Sequence, residues 1–176
     1  MSIRDELNDL CAASRLYRLR LILRVQERRE IYVSEEINSR ILGPWDDKPD
    51  EYRCGRAYAD LLAFIYRNPI VVARNPRQGG SSYTSRLMPP RDEVWDIRCV
   101  DPEPGIRVLG RFAEKDVFIG LTWEIRLRLK HFDSREWRDA ILRCGTLWRQ
   151  LFPAYPPLMG DYFADYISDA IFDRDS

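Results

Sequence analysis

The stretch VFIGLTW, from Val117 to Trp123, is apolar at odd and even positions alike. Successive side chains of a strand point to opposite faces, so a short run that is apolar at both parities belongs at the centre of a sheet. Two neighbours precede it. VWDIRCV sets Trp95, Ile97 and Cys99 on one face and Asp96 and Arg98 on the other. IRVLGRF sets Ile106, Val108 and Phe112 opposite Arg107, Leu109 and Arg111. DPEPG and AEKD are turn material between them, which makes the three runs an antiparallel meander.

Helical signals flank this sheet. Ser2 is placed to cap SIRDELNDLC, with Asp5 and Glu6 in its first turn. Residues 15–33 read two ways. Leu19, Leu21, Leu23 and Val25 alternate with arginines, as in a β-hairpin, while helix propensity favours one long, broken helix running on from Ser2, the reading adopted here. Ser34 caps a short helix that Gly43-Pro44 stops. Cys54, Ala57, Leu61, Phe64 and Ile65 recur at helical spacing up to Pro69. IVVA at 70–73 reads as a short strand, and 74–93, with Pro76, Gly79, Gly80, Pro89 and Pro90, as a long loop. Ser134 caps a helix whose stripe Trp137, Ile141, Cys144, Trp148 and Leu151 marks a core face. DYFADYISDAIF reads as a final amphipathic helix, with Asp161, Asp165 and Asp169 on its solvated side. The expected fold class is α+β: N-terminal helices, a small antiparallel meander, and C-terminal helices packed on it. Three stretches follow: an N-terminal helical segment (1–50), an α+β core (51–131) and a C-terminal helical extension (132–176).

Charge narrows the function. The chain carries 28 basic and 28 acidic residues, so no global field draws it to nucleic acid or anionic membrane. All the basic residues except Lys48, Lys115 and Lys130 are arginine, the better residue for bidentate anion contacts, although a GC-rich coding sequence gives the same bias. Cys11, Cys54, Cys99 and Cys144 are widely spaced and His131 is the lone histidine, so neither a metal site nor another cofactor is expected. The cysteines read as reduced, buried thiols of a cytoplasmic protein, and no apolar run approaches membrane-spanning length.

The candidate site is the arginine set Arg98, Arg107 and Arg111. Arg98 and Arg107 fall within cross-strand reach on the face away from the apolar one, where like charges repel unless an anion joins them. The plain alternative is a solvated face paired with Asp96, Glu103 or Glu124. Arg77, Tyr83 and Arg86 make the 74–92 loop a candidate recognition loop. Lys130 and His131 are the candidate catalytic pair: an imidazole titrating near neutrality suits proton transfer in RNA cleavage.

The run VWDIRCV…GIRVLGRF…VFIGLTW, after a helix and a long loop, resembles the RelE/HigB-like toxin superfamily and its phage-derived relatives over roughly residues 51–131. The resemblance implies messenger-RNA contact by sheet arginines, here Arg98 and Arg107. Where the family shows a lysine-rich ending, EIRLRLKHF offers Lys130 and His131 and then continues into a helical extension. Two expectations follow. The preferred one is a non-enzymatic interaction protein of phage or prophage type. It would bind a host nuclease, a defence complex or nucleic acid through the arginine-bearing sheet face, with the C-terminal helices available for oligomer contacts. The alternative is a metal-independent toxin-type ribonuclease with an antitoxin-like partner and RNA as substrate.

Overall fold

The computed structural model describes residues 2–22, 26–78 and 81–173. Helix α1 (Ile3–Ala12) begins with a reciprocal cap: Ser2 Oγ accepts from Asp5 N, and Asp5 Oδ2 accepts from Ser2 N. Ser14, at φ 55, turns the chain out of the helix. Strands β1 (Leu16–Leu19) and β2 (Glu30–Ser34) follow. Ser34 caps α2 (Glu35–Leu42), which ends at Gly43 with φ 73. Asp47 caps α3 (Lys48–Tyr66), and Pro49 sits in the first turn, where no intrahelical amide is required. Strands β3 (Ile70–Ala73), β4 (Thr84–Arg86), β5 (Trp95–Cys99), β6 (Ile106–Glu114) and β7 (Val117–Ile125) come next. The chain ends with α4 (Arg135–Leu151, capped by Ser134), the single turn α5 (Phe163–Tyr166) and β8 (Ala170–Phe172).

Among the described residues the strands form one eight-stranded mixed sheet, in the order β1-β2-β7-β6-β5-β4-β3-β8. β5, β6 and β7 are the expected antiparallel meander, extended by parallel pairings of β2 with β7 and of β3 with both β4 and β8. All three stretches of the sequence thus contribute strands to one sheet. A register shift between Leu109 and Gly110 leaves Leu121 without a partner on β6, and beyond it Trp123 lies opposite Val108. A Cβ on Gly110 would collide with the Ile119 carbonyl, so the close approach there requires glycine.

Helices cover both faces. On one, Ile37 of α2 and Leu61 and Phe64 of α3 pack on Trp95, Phe112 and Phe118. On the other, Leu7 and Leu10 of α1 and Trp137, Cys144 and Trp148 of α4 pack on Leu109, Ile119 and Leu121. Each fully buried side chain of this size contributes about 1.5–3 kcal/mol through the water it releases. The apolar parity of β7 is explained by this double cover. The same cover makes the arginine-bearing face of the meander a second core face, where one solvated side was expected.

Three readings of local structure change. Residues 15–33 are not a helix: β1 and β2 pair antiparallel, with Leu16 opposite Ser34 and Leu19 opposite Ile31, while Leu23, Arg24 and Val25 lie outside the described residues. Leu16 and Leu19 enter opposite cores, and Ile31 lies beside Phe118 of β7, so sheet pairing overrides helix propensity. The 74–93 loop contains β4. The last segment is helical for one turn only; Asp169, at φ 58, then swings Ala170–Phe172 onto β3, and Asp161, Asp165 and Asp169 share no helix face.

Arg29 ties the ends together. Its side chain is fully buried and donates to the carbonyls of Phe64 (3.4 Å), Arg67 (2.6 Å) and Ser168 (2.6 Å), with Asp116 Oδ1 at 3.4 Å from Nε. Burial lowers its pKa, and Asp116 opposes that shift.

Candidate binding site

The ladder between β5 and β6 sets Arg98 directly opposite Arg107, and Asp96, two residues before Arg98, faces the same way. Asp96 is fully buried and answers both guanidiniums: its Oδ2 lies 3.3 Å from Arg98 Nε and 3.4 Å from Arg107 Nε. Its Oδ1 accepts from Ser85 N (2.9 Å) and Ser85 Oγ (2.6 Å). Arg98 then donates to Ser82 Oγ (2.6 Å), Pro76 O (3.0 Å) and Ser85 Oγ (3.0 Å). Pro76 and Ser82 therefore help to enclose Arg98. A buried ion needs this full set of partners, because desolvation otherwise exceeds the Coulomb gain.

The other sequence candidates separate. Arg111 is half-buried beneath α4, donates to Asp92 O at 2.6 Å, and is accommodated by Gly145, where a Cβ would stand 3.1 Å from Arg111 Nη2. Tyr83 is buried on Phe64 and donates to Asp60 O at 2.7 Å. Arg86 pairs with the buried Glu93 and lies over the Tyr166 ring. Arg77 is exposed and paired with Asp133. Tyr83 and Arg86 are thus both engaged within the fold, while Arg77 is exposed. Lys130 pairs with Glu136, and His131 is exposed in the turn before α4, its carbonyl accepting from Ser134 N. Among the described residues no group of three or more His, Cys, Asp or Glu is placed to hold a metal, and no helix is long and apolar enough to cross a membrane.

Of the sheet pair, Arg107 lines a cleft. This opening of about 390 Å³ is lined by Val100, Glu103, Pro104, Arg107, Arg126 and Leu127. Burial lowers the Arg107 pKa against the pull of Asp96, and Arg98 and Arg126 lower it further. Arg107 Nε makes no hydrogen bond of normal geometry. Glu124, opposite Arg107 in the ladder, is taken by Arg143 of α4 at 3.0 Å. Two guanidiniums thus share the buried Asp96 carboxylate, while Arg126 lines the cleft beside Arg107 with Glu103 as the acid on the exposed rim. Arg126 is held by its amide, which donates to Gly105 O (2.8 Å), and by Nη1, which donates to Lys130 O (2.5 Å). Its guanidinium lies 5.5 Å from the Phe132 ring centre and 5.7 Å from that of Trp137. Leu127 and Val100 are 74% and 56% exposed beside it.

Sequence reasoning missed Arg126, Leu127 and Val100. EIRLRLKHF shows a basic segment, but only the short 3-10 turn at Arg126–Leu129 shows which arginine faces the β5–β6 connection. Comparison with protein-family models, curated proteins and solved structures finds no match to this chain.

Proposed function

We propose that this chain is a non-enzymatic interaction protein, an inhibitor-like factor of the phage or prophage kind implied by the strand pattern. It recognises a partner protein by seating an acidic side chain between Arg107 and Arg126. One observation carries this reading: the Arg107–Arg126 cleft gathers more guanidinium than carboxylate and is flanked by exposed Leu127 and Val100. A desolvated arginine with apolar neighbours is the composition of a protein-interface hot spot. Nucleic acid is favoured by a longer basic track than this, and the net charge of zero supplies no field to guide it. The sheet face itself is a poor docking surface, since α1 and α4 lie on it and Arg98 is enclosed. The ribonuclease reading relied on Arg98 and Arg107 as a phosphate grip; both are joined to Asp96, and the Lys130 amine is on Glu136.

The test is affinity capture from host lysate with the tagged chain and with its Arg126→Glu and Leu127→Glu variants, each with and without nuclease treatment. The expected result is a protein retained after nuclease treatment by the unmodified chain and lost from both variants, with their thermal unfolding unchanged. Capture that survives both substitutions, or that nuclease abolishes, overturns the proposal. Growth arrest on expression, relieved by His131→Ala, restores the ribonuclease reading in its place.

A further inference from the structure

Among the described residues strand β8 ends the sheet and pairs only with β3. Ile70 N donates to Asp169 O (3.3 Å) and Asp173 N donates to Val72 O (3.0 Å). Main-chain groups alternate sides along a strand, so the N–H and C=O of Ala170 and Phe172 point away from β3. Beside this edge lies an apolar cleft of about 410 Å³, lined by Val72, Tyr162, Phe163, Ala170, Ile171 and Phe172. Tyr162 is 74% exposed, and Ile171 and Phe172 are close to half exposed. Phe163 joins this cleft to the core, with its ring 5.4 Å from Phe172 and 5.6 Å from Trp95.

The charge around the edge selects its occupant. Asp161 lines the cleft, Asp165 accepts from the amides of Asp161 and Tyr162, and Asp169 and Asp173 bracket β8. Among the described residues the cations there are Arg74, 4.2 Å above the Phe172 ring, and Arg28, 3.6 Å from Asp169, so among them acid outnumbers base. A second copy of β8 laid antiparallel about Ile171 would set Asp169 against Asp173 at both ends, a like-charge arrangement that destabilises strand pairing. We infer that β8 is an acceptor edge for an extended segment of another protein, apolar at alternate positions with lysine or arginine between them. The segment adds as a further strand, its main chain bonded to Ala170 and Phe172 and its apolar side chains in the Tyr162–Phe172 cleft. This surface is separate from the Arg107–Arg126 cleft and of opposite charge, so the inference does not depend on what that cleft binds.

Fluorescence anisotropy of the full chain with a fluorescein-labelled peptide of alternating valine and lysine tests it, beside a valine–glutamate counterpart. The lysine peptide is expected to bind at least about tenfold more tightly than the glutamate peptide. Methylating one alternate set of its amides abolishes binding, while methylating the other set does not, because only one edge of an added strand bonds to β8. Phe172→Ser weakens binding about tenfold. Arg126→Glu leaves it unchanged, which separates failure here from failure at the Arg107–Arg126 cleft. Equal affinity for the two peptides, or indifference to both methylation sets, overturns the inference. So does a dimer in sedimentation that the lysine peptide does not dissociate, since the edge then belongs to a second copy.

Discussion

The sheet encloses one of its polar regions around Asp96 and Arg98 and leaves another open. Around Asp96 both carboxylate oxygens are met from within the chain, and Pro76 O and Ser82 Oγ accept from Arg98. At β8 two main-chain units and an aromatic surface face solvent. Both regions lie in the same sheet, yet the cues visible in sequence pointed to the first. The difference follows from the penalty on burial. A charge taken out of water must be fully partnered or the fold fails, so a buried arginine is strongly determined by structure. An exposed edge carries no such requirement and is available for recognition.

The most severe way to break this contrast is Asp96→Asn. It leaves Arg98 and Arg107 sharing no carboxylate in a buried position, and a loss of about 3–5 kcal/mol is expected in denaturant unfolding. A loss below about 1 kcal/mol, typical of a solvated pair, would show that the arginines reach water and that the closed region is open after all. Tyr166→Phe sharpens the boundary between the regions. The Tyr166 hydroxyl donates to Glu93 Oε2 at 2.6 Å and accepts from Gly160 N at 2.6 Å, so its removal is expected to lose about 1–2 kcal/mol. Amide exchange should speed up in β8 and stay slow in β5–β7; uniform acceleration would show that the tail and the meander open as one unit.

Smaller effects probe the open side. Phe172→Ser, at a side chain close to half exposed, should change unfolding stability by no more than about 0.5 kcal/mol while weakening peptide binding. A large stability loss would place Phe172 in the core's energetics and remove the contrast. Least of all, Arg77→Ala breaks an exposed pair with Asp133 and is expected to alter stability by under about 0.5 kcal/mol, an effect that added salt erases.

The legible parts of the fold were those governed by local periodicity. The meander, α3, α4 and the caps at Ser2, Ser34 and Ser134 follow from patterns within a few residues of each element. The pairing of β1 with β2 was legible only as the alternative to a helix, because Leu16 and Leu19 serve opposite cores and the deciding partner, β7, lies far along the chain. β4 and β8 are three residues each, too short to show a period, and exist because β3 offers each of them an edge. At the site, sequence put Arg98 and Arg107 within cross-strand reach on neighbouring strands, and the ladder sets them directly opposite. It named Asp96 as one of several possible partners, and left unseen the cover supplied by Ser82 and Pro76. Arg126 was hidden because its role depends on a turn bringing it to a loop about twenty residues earlier.

The long reach of Arg29 has a consequence for biosynthesis. Its Ser168 acceptor is made 139 residues after it, and β2 cannot join the sheet before β7 has been translated. An emerging chain therefore holds Ile31 and Val33 without their strand partners until Phe118 and Gly120 have been made, and Arg29 gains its last acceptor only with Ser168. Assembly governed by such distant contacts is slow and passes through states that exposed sticky strands can divert, so the yield of this fold should depend on what shelters β2 until β7 has been made.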